Sequence, residues 1–266
     1  MSDFVTYAAV KDLMFALTVT QPRILVTLMM LPVFSKQLLP GRLRGAVAVP
    51  LGLLVTPLTL PGAQASDLSL ALLAALVVKE AFVGVVLGFF AAIPFWIFEA
   101  MGSLIDYQRG ASMGALFNPT MGTEATPLAI VFQLAFGVLF LSGDGINLML
   151  SMLFDSFRLW DPWQWAPSLR MEVVPIMLSQ LDRLMRLVLL FAAPAMVMML
   201  LAELGLALAS RFTPQLQVFF LAMPIKTAIV LLVIVLCLAN VFEQGALETR
   251  RIADTIPLLT DLWRAP

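Results

Sequence analysis

Charged side chains inside apolar stretches are the first candidates for chemistry in this chain. Glu99, Asp106 and Arg109 lie in FFAAIPFWIFEAMGSLIDYQRGASMGALFNPTMGTEATP (residues 89–127), Glu203 sits deep in LLAELGLAL, and Lys226 follows Pro224 early in another apolar run. A Lys, Arg or Asp at the centre of a membrane helix costs about 2.5–3.5 kcal/mol on insertion scales, so these groups require partners or water. Glu99, Gly102, Ser103, Asp106 and Gly110 recur at spacings of three or four, which puts a polar, small-residue stripe on one helix face. Gln108 and Arg109 adjoin it. Two readings fit such charges. They can relay protons or ions through one polypeptide, as in an autonomous proton-coupled secondary transporter, or they can be pairing groups that dock the chain into a larger assembly. The stripe suits close helix packing in an oligomer or around a wet channel and favours assembly.

Enzymatic chemistry lacks its usual parts. Histidine is absent, which removes the commonest general base, the Ser-His-Asp triad and most zinc or haem ligation. GASMG (residues 110–114) matches the G-x-S-x-G pattern, but Ser112 would need a strand before it, a helix after it and a histidine partner. There is no Walker motif, no dinucleotide-binding glycine pattern and no metal-ligand cluster, so neither an enzyme nor a cofactor is expected. Proline at 119 disqualifies Asn118 as a glycosylation acceptor. The lone Cys237, in IVLLVIVLCLAN, reads as a buried, inert thiol. A net charge of −1 gives no basic field for nucleic acid.

The elements that carry these residues are membrane helices. Hydrophobic residues make up 61% of the 266 and charged ones 12%, with a mean hydropathy of +0.97. Soluble domains have about 45–50% apolar and roughly 25% charged residues, so the solvent here is partly lipid or other apolar protein. MSDFVTYAAVKD has no basic n-region, which predicts a first helix that is retained. Apolar segments are predicted at 4–31, 45–60 (broken by Pro50 and Pro57), 68–107 (with Pro94 inside), 127–141, 146–157, 171–210 and 218–242. The fourth and fifth, joined by SGDG, are too close for separate spans and read as a helical hairpin. Residues 1–242 form the helical membrane domain, and 243–266 an amphipathic, solvent-facing tail.

Several details orient this outline. SKQLLPGRLRG holds Lys36, Arg42 and Arg44 without an acid and reads as a positive-inside loop, so seven crossings place the N-terminus outside and the tail inside. PGAQASD reads as a turn, with a helix cap at Ser66 or Asp67. Gly84 and Gly88 make a GxxxG step. Lys79 and Glu80 are either an interfacial helix end or a buried pair. Asp182 and Arg186 are spaced to pair. Trp160, Trp163 and Trp165, three of the five tryptophans, read as headgroup-zone anchors.

GSLIDYQRGASMGALFNPTMGTEATPLA (residues 102–129), FTPQLQVFFLAMPIK (212–226) and PRILVTLMMLPVFSKQLLPGRLRGAVAV (22–49) resemble, in the same order, the SctT/FliR family of type III secretion export-apparatus proteins. The form D-x-Q-R-G at 106–110 is similar to the injectisome branch, which implies virulence-type or symbiosis-type secretion. The resemblance implies an all-α membrane protein of long, kinked helical hairpins packed in a ring-like export gate, with no enzymatic activity. It implies a bacterial inner-membrane, multi-pass location, partly raised toward the periplasm on assembly. Partners would be SctR, SctS and SctU-like subunits, needle or inner-rod subunits, membrane lipid and unfolded secreted proteins. The loop after D-x-Q-R-G, within residues 110–126, would help close the pore. Met113, Leu116, Phe117, Asn118, Pro119 and Met121 are its candidates, with Met113, Leu116, Phe117 and Met121 as apolar bulk. Glu99, Asp106, Gln108, Arg109 and Lys226 are the assembly candidates.

Overall fold

The computed structural model describes residues 2–35, 40–65, 69–110, 126–165, 173–212 and 218–263. These residues form eight α-helices and no strand: α1 (Ser2–Met30), α2 (Gly41–Ala65), α3 (Leu70–Arg109), α4 (Pro127–Ser142), α5 (Gly145–Leu159), α6 (Val173–Phe212), α7 (Val218–Arg250) and α8 (Thr255–Trp263). A short 3-10 turn, Pro32–Phe34, follows α1. The chain divides into two compact units. Unit 1 comprises Met1–Ile93, Asp144–Ile176 and Thr249–Pro266, and unit 2 comprises Pro94–Gly143 and Met177–Glu248.

In unit 1, α1 and α2 are an antiparallel hairpin. The Gln21 side chain donates to the Ala48 carbonyl at 3.2 Å, while Gly52 faces Gln21 and Leu17 further back along α1. The first part of α3 runs parallel to α1. Arg23 meets Glu80, Thr27 donates to the Gly84 carbonyl at 3.2 Å, and Met30 meets Gly88. A Cβ on Gly84 would lie 2.7 Å from the Arg23 carbonyl oxygen, and one on Gly88 would lie 2.6 Å from Met30 Cβ. The GxxxG step is therefore a true helix contact, permitted by the missing side chains. Ala16, Val19, Ile24, Leu28, Val83, Leu87, Met152, Leu153 and Phe157 fill the core of this unit.

In unit 2, the second part of α3 pairs antiparallel with α4, and α6 pairs antiparallel with α7. Phe95 meets Phe136 edge-on at 4.7 Å and Phe98 stacks on Phe136 at 4.7 Å. Phe98 also neighbours Phe191 of α6 and Phe242 of α7. Such rings contribute about 0.5–1.5 kcal/mol per pair beyond their burial. Glu203 with Lys226, and Arg183 with Glu248, fix the register of α6 on α7.

Several expected boundaries move. The turn expected at 61–67 is absent up to Ala65, because α2 continues through Pro50, Pro57 and Pro61. A proline costs about 3 kcal/mol inside a soluble helix, but lipid offers exposed carbonyls no better alternative and neighbouring hydroxyls compensate. The next helix is capped by Ser69, which accepts from the Leu72 N–H at 3.2 Å; Ser66 and Asp67 lie outside the described residues. The last apolar helix runs to Arg250 instead of stopping at 242. In α8, Leu259 is buried.

The seven crossings become fewer. Among the described residues five helices are long and apolar enough to span a membrane, and α4 with α5 adds at most a sixth, because this pair is broken by a sharp bend. Arg42 and Arg44 lie in the first turns of α2, with Arg44 buried. Trp160 is buried, and the Trp163 indole donates to the Thr59 carbonyl at 2.8 Å. Of the three tryptophans, Trp165 is the exposed one. Two of them are thus packing residues of unit 1 and not free anchors.

Candidate functional site

The polar stripe of α3 is met by α4 of the same chain. Gly102 brings the backbones together, since a Cβ there would lie 2.5 Å from Ala129 Cα. On either side of this contact the polar residues reach across. Glu99 Oε2 accepts from the Gln133 amide at 2.5 Å, and Asp106 Oδ2 accepts from the Leu128 backbone N–H at 2.8 Å. The other oxygen of Asp106 holds Arg109 Nε at 2.7 Å. Asp106 is completely buried, so both bonds are charge-assisted in a low-dielectric setting.

This arrangement joins the two flanks of residues 111–125. Leu128 belongs to the first turn of α4, whose N-cap position, Thr126, makes no side-chain cap. Asp106 supplies the anion that a helix N-terminus favours, from a different helix 22 residues earlier. The other flank is the C-terminus of α3. Gly110 stands at φ +85°, the left-handed conformation that ends helices and suits glycine, and its N–H donates to the Tyr107 carbonyl at 3.1 Å. Lys226 of α7 donates to the Gln108 carbonyl at 3.3 Å and pairs with Glu203 at 2.9 Å. A cation therefore sits on the carbonyl end of α3 and an anion on the amide end of α4, each complementing the helix dipole.

Glu99, Asp106, Arg109 and Lys226 all find partners within unit 2. Gln108 contributes its backbone carbonyl. Met113, Leu116, Phe117, Asn118, Pro119 and Met121 lie outside the described residues. Among the described residues Asp182 and Arg186 form no ion pair; Arg183 bonds Glu248 instead. Cys237 is partly exposed beside a small apolar cavity.

A second ionic cluster, in unit 1, has a residue that the sequence analysis passed over. Arg23 is fully buried and grips Glu80 with two nitrogens, at 2.6 and 2.9 Å. It also donates to the Ser156 and Trp160 carbonyls at 2.8 and 3.1 Å, and lies over the Phe157 ring at 4.1 Å. Lys79 adds a contact to Glu80 at 2.9 Å and donates to the Pro162 and Gln164 carbonyls. Of the two readings of Lys79 and Glu80, the buried pair holds. The available signal was an arginine in the middle of a predicted span.

The helices and their internally neutralised charges define a multi-pass, all-helical membrane protein in which buried ionic contacts set helix ends and registers. The chain belongs to family 1 of the bacterial export proteins, whose model matches residues 14–250. It is 36% identical to the Yop proteins translocation protein T of Yersinia pestis over 245 residues, which cover 91% of this chain and 93% of that protein. It is 32% identical to the surface presentation of antigens protein SpaR of Salmonella typhimurium, over 82% of this chain and 81% of that one. The flagellar biosynthetic protein FliR of Bacillus subtilis is 29% identical over 62% of this chain and 64% of its own length. These matches agree with the resemblance to the SctT/FliR family, and the greater identity to the Yop and SpaR proteins agrees with its injectisome branch. The transporter alternative finds no support among them.

Proposed function

We propose that this chain is a subunit of the export gate of a type III secretion system, in the bacterial inner membrane, through which unfolded proteins leave the cell. Residues 110–126 help seal the closed gate, with Met113, Leu116, Phe117 and Met121 as apolar bulk and Asn118 and Pro119 as further members of the closing loop. The observation that carries this reading is the double hold of Asp106 on Arg109 and on the Leu128 N–H. It fixes the two flanks of a segment rich in glycine and bulky apolar residues, which are the requirements for a stopper with stable ends. We also propose assembly with SctR, SctS and SctU-like subunits, contact with needle or inner-rod subunits, and a position raised toward the periplasm, which the resemblance to the SctT/FliR family supports. In this reading 1–242 is the gate domain and 243–266 the C-terminal segment, whose first residues continue α7 within unit 2, where Glu248 pairs with Arg183. The chain contains no nucleotide-binding motif, so energy comes from elsewhere.

The test replaces the cork and its base separately. Phe117→Ser with Met113→Ser is expected to make membranes leaky to ions while the complex still assembles. Asp106→Ala, which leaves residues 111–125 unchanged, is expected to raise the leak as well. Ion conductance equal to wild type in both variants, within intact complexes, removes the stopper reading.

A further inference from the structure

Unit 1 carries an open groove that the export function does not use. It has a volume of about 500 Å³ and is lined by Leu54, Val55, Pro57 and Leu58 of α2 and by Phe154 and Arg158 of α5. We propose that it is a binding site for an anionic phospholipid, with one acyl chain along the leucines and the phosphate on Arg158.

Two observations point to this occupant. The first is composition: five of the six lining residues are apolar, and the single cation is at the end of α5, where it is largely exposed. An apolar trough with one guanidinium matches the polarity of a lipid with an anionic headgroup and fits a wholly apolar helix less well. The second is depth. The groove ends beside the segment of the exposed Trp165, which the Trp163 bond to Thr59, the residue after Leu58, ties to α2. An exposed tryptophan favours the level where hydrocarbon gives way to headgroups, which is the depth at which Arg158 would meet a phosphate.

The acids nearby do not close the site. Asp155 contacts Arg158 through one guanidinium nitrogen at 3.3 Å, and both side chains are exposed, so this pair is weak and a phosphate can compete with it. Asp161 is engaged by the Trp163 backbone N–H at 3.0 Å.

Native mass spectrometry of the full-length chain, purified in detergent and titrated with phosphatidylglycerol or phosphatidylethanolamine, tests the site. Wild type is expected to retain phosphatidylglycerol in preference to phosphatidylethanolamine. Arg158→Gln is expected to weaken phosphatidylglycerol binding by about tenfold, the size of one charged hydrogen bond, and Arg158→Lys to restore part of it. Leu54→Trp, which fills the trough from an exposed position, is expected to lower binding of both lipids. Equal retention of the two lipids by wild type, or unchanged binding in both Arg158→Gln and Leu54→Trp, overturns the proposal. So does a Leu54→Cys thiol that cross-links in membranes to another protein instead of to a lipid-borne reagent. The readout needs no partner subunit and no secretion, so its failure is separate from failure of the gate reading.

Discussion

Arg23 shows how much one residue can hold together in a membrane protein. Its guanidinium meets α3 through Glu80, α5 through the Ser156 carbonyl, and the connection after α5 through the Trp160 carbonyl. A lysine ammonium has three donors on a single atom, so it could not grip both Glu80 oxygens in a planar fork while also reaching the two carbonyls. Removing one member of a buried pair typically costs about 3–5 kcal/mol, because the other charge is left alone, whereas replacing both is often nearly neutral. Arg23→Met is therefore expected to lower thermal stability in detergent by several degrees. Glu80→Met should do the same, and the double variant should recover most of the loss. Two single losses that simply add would show that Arg23 and Glu80 act independently. The sequence placed Arg23 inside a predicted helix but could not show its acid, because Glu80 lies 57 residues away. Lys79, the neighbour of Glu80, advertised a pair; the more deeply buried cation was silent.

Among the helices, close approach is governed by glycine at a few positions and is unconstrained at others. Gly84 abuts the Arg23 carbonyl, and Gly102 abuts the Ala129 backbone, whereas a Cβ on Gly205 would meet nothing within 4 Å. Backbone cannot move aside as a side chain can. Gly84→Ala and Gly102→Ala are thus expected to cost about 1–3 kcal/mol, the range for overpacking. Gly205→Ala should be neutral or should stabilise by up to about 1 kcal/mol through helix propensity. Reversible unfolding of each unit in mild detergent checks the ranking, and an equal response at Gly84 and Gly205 would refute the contact. Helix existence was readable from hydropathy, and α3 and α6 fall within two residues of their predicted limits at most ends. Helix ends with prolines were harder. Pro50, Pro57 and Pro61 signal a break in water, yet α2 passes through all three. The stripe on α3 was visible as a pattern, but its occupant was not. Nothing local in Gly102 or Asp106 reveals that the facing element is α4, because that pairing depends on chain reversal through residues 111–125.

For the whole molecule, the placement of charge and of apolar surface discriminates between a machine that works alone and one that needs company. The deep charges that were singled out are held inside the chain: Arg23 and Lys79 share Glu80, Arg109 pairs with Asp106, Lys226 with Glu203 and Arg183 with Glu248, while Glu99 is held by the Gln133 amide. A relay needs groups that exchange partners with water or substrate, and these groups already bind one another or the backbone. A cavity in unit 2 lined by Met101, Phe132, Phe191, Pro194 and Cys237 measures about 20 Å³, room for roughly one water. A solute-binding pocket usually needs about 300 Å³ or more, and the groove that reaches this size, about 500 Å³ on unit 1, is an open trough with Arg158 as its one charged lining residue. The outer faces tell the other half. Leu189, Leu190, Leu201, Leu204, Leu208, Val235 and Leu236 are all more than half exposed, and the spanning windows bury only 17–39% of their residues within the chain. Surface of that extent must be covered by lipid or by other helices. The chain alone, reconstituted into liposomes, is therefore expected to pass neither protons nor small solutes above the background of empty vesicles. Co-reconstitution with the partner subunits and the Phe117→Ser/Met113→Ser pair should produce ion flux, because only then is there a channel to unseal. Saturable uptake of a solute by the solitary chain would mean that these helices enclose a path of their own, and the gate reading would give way to a transporter.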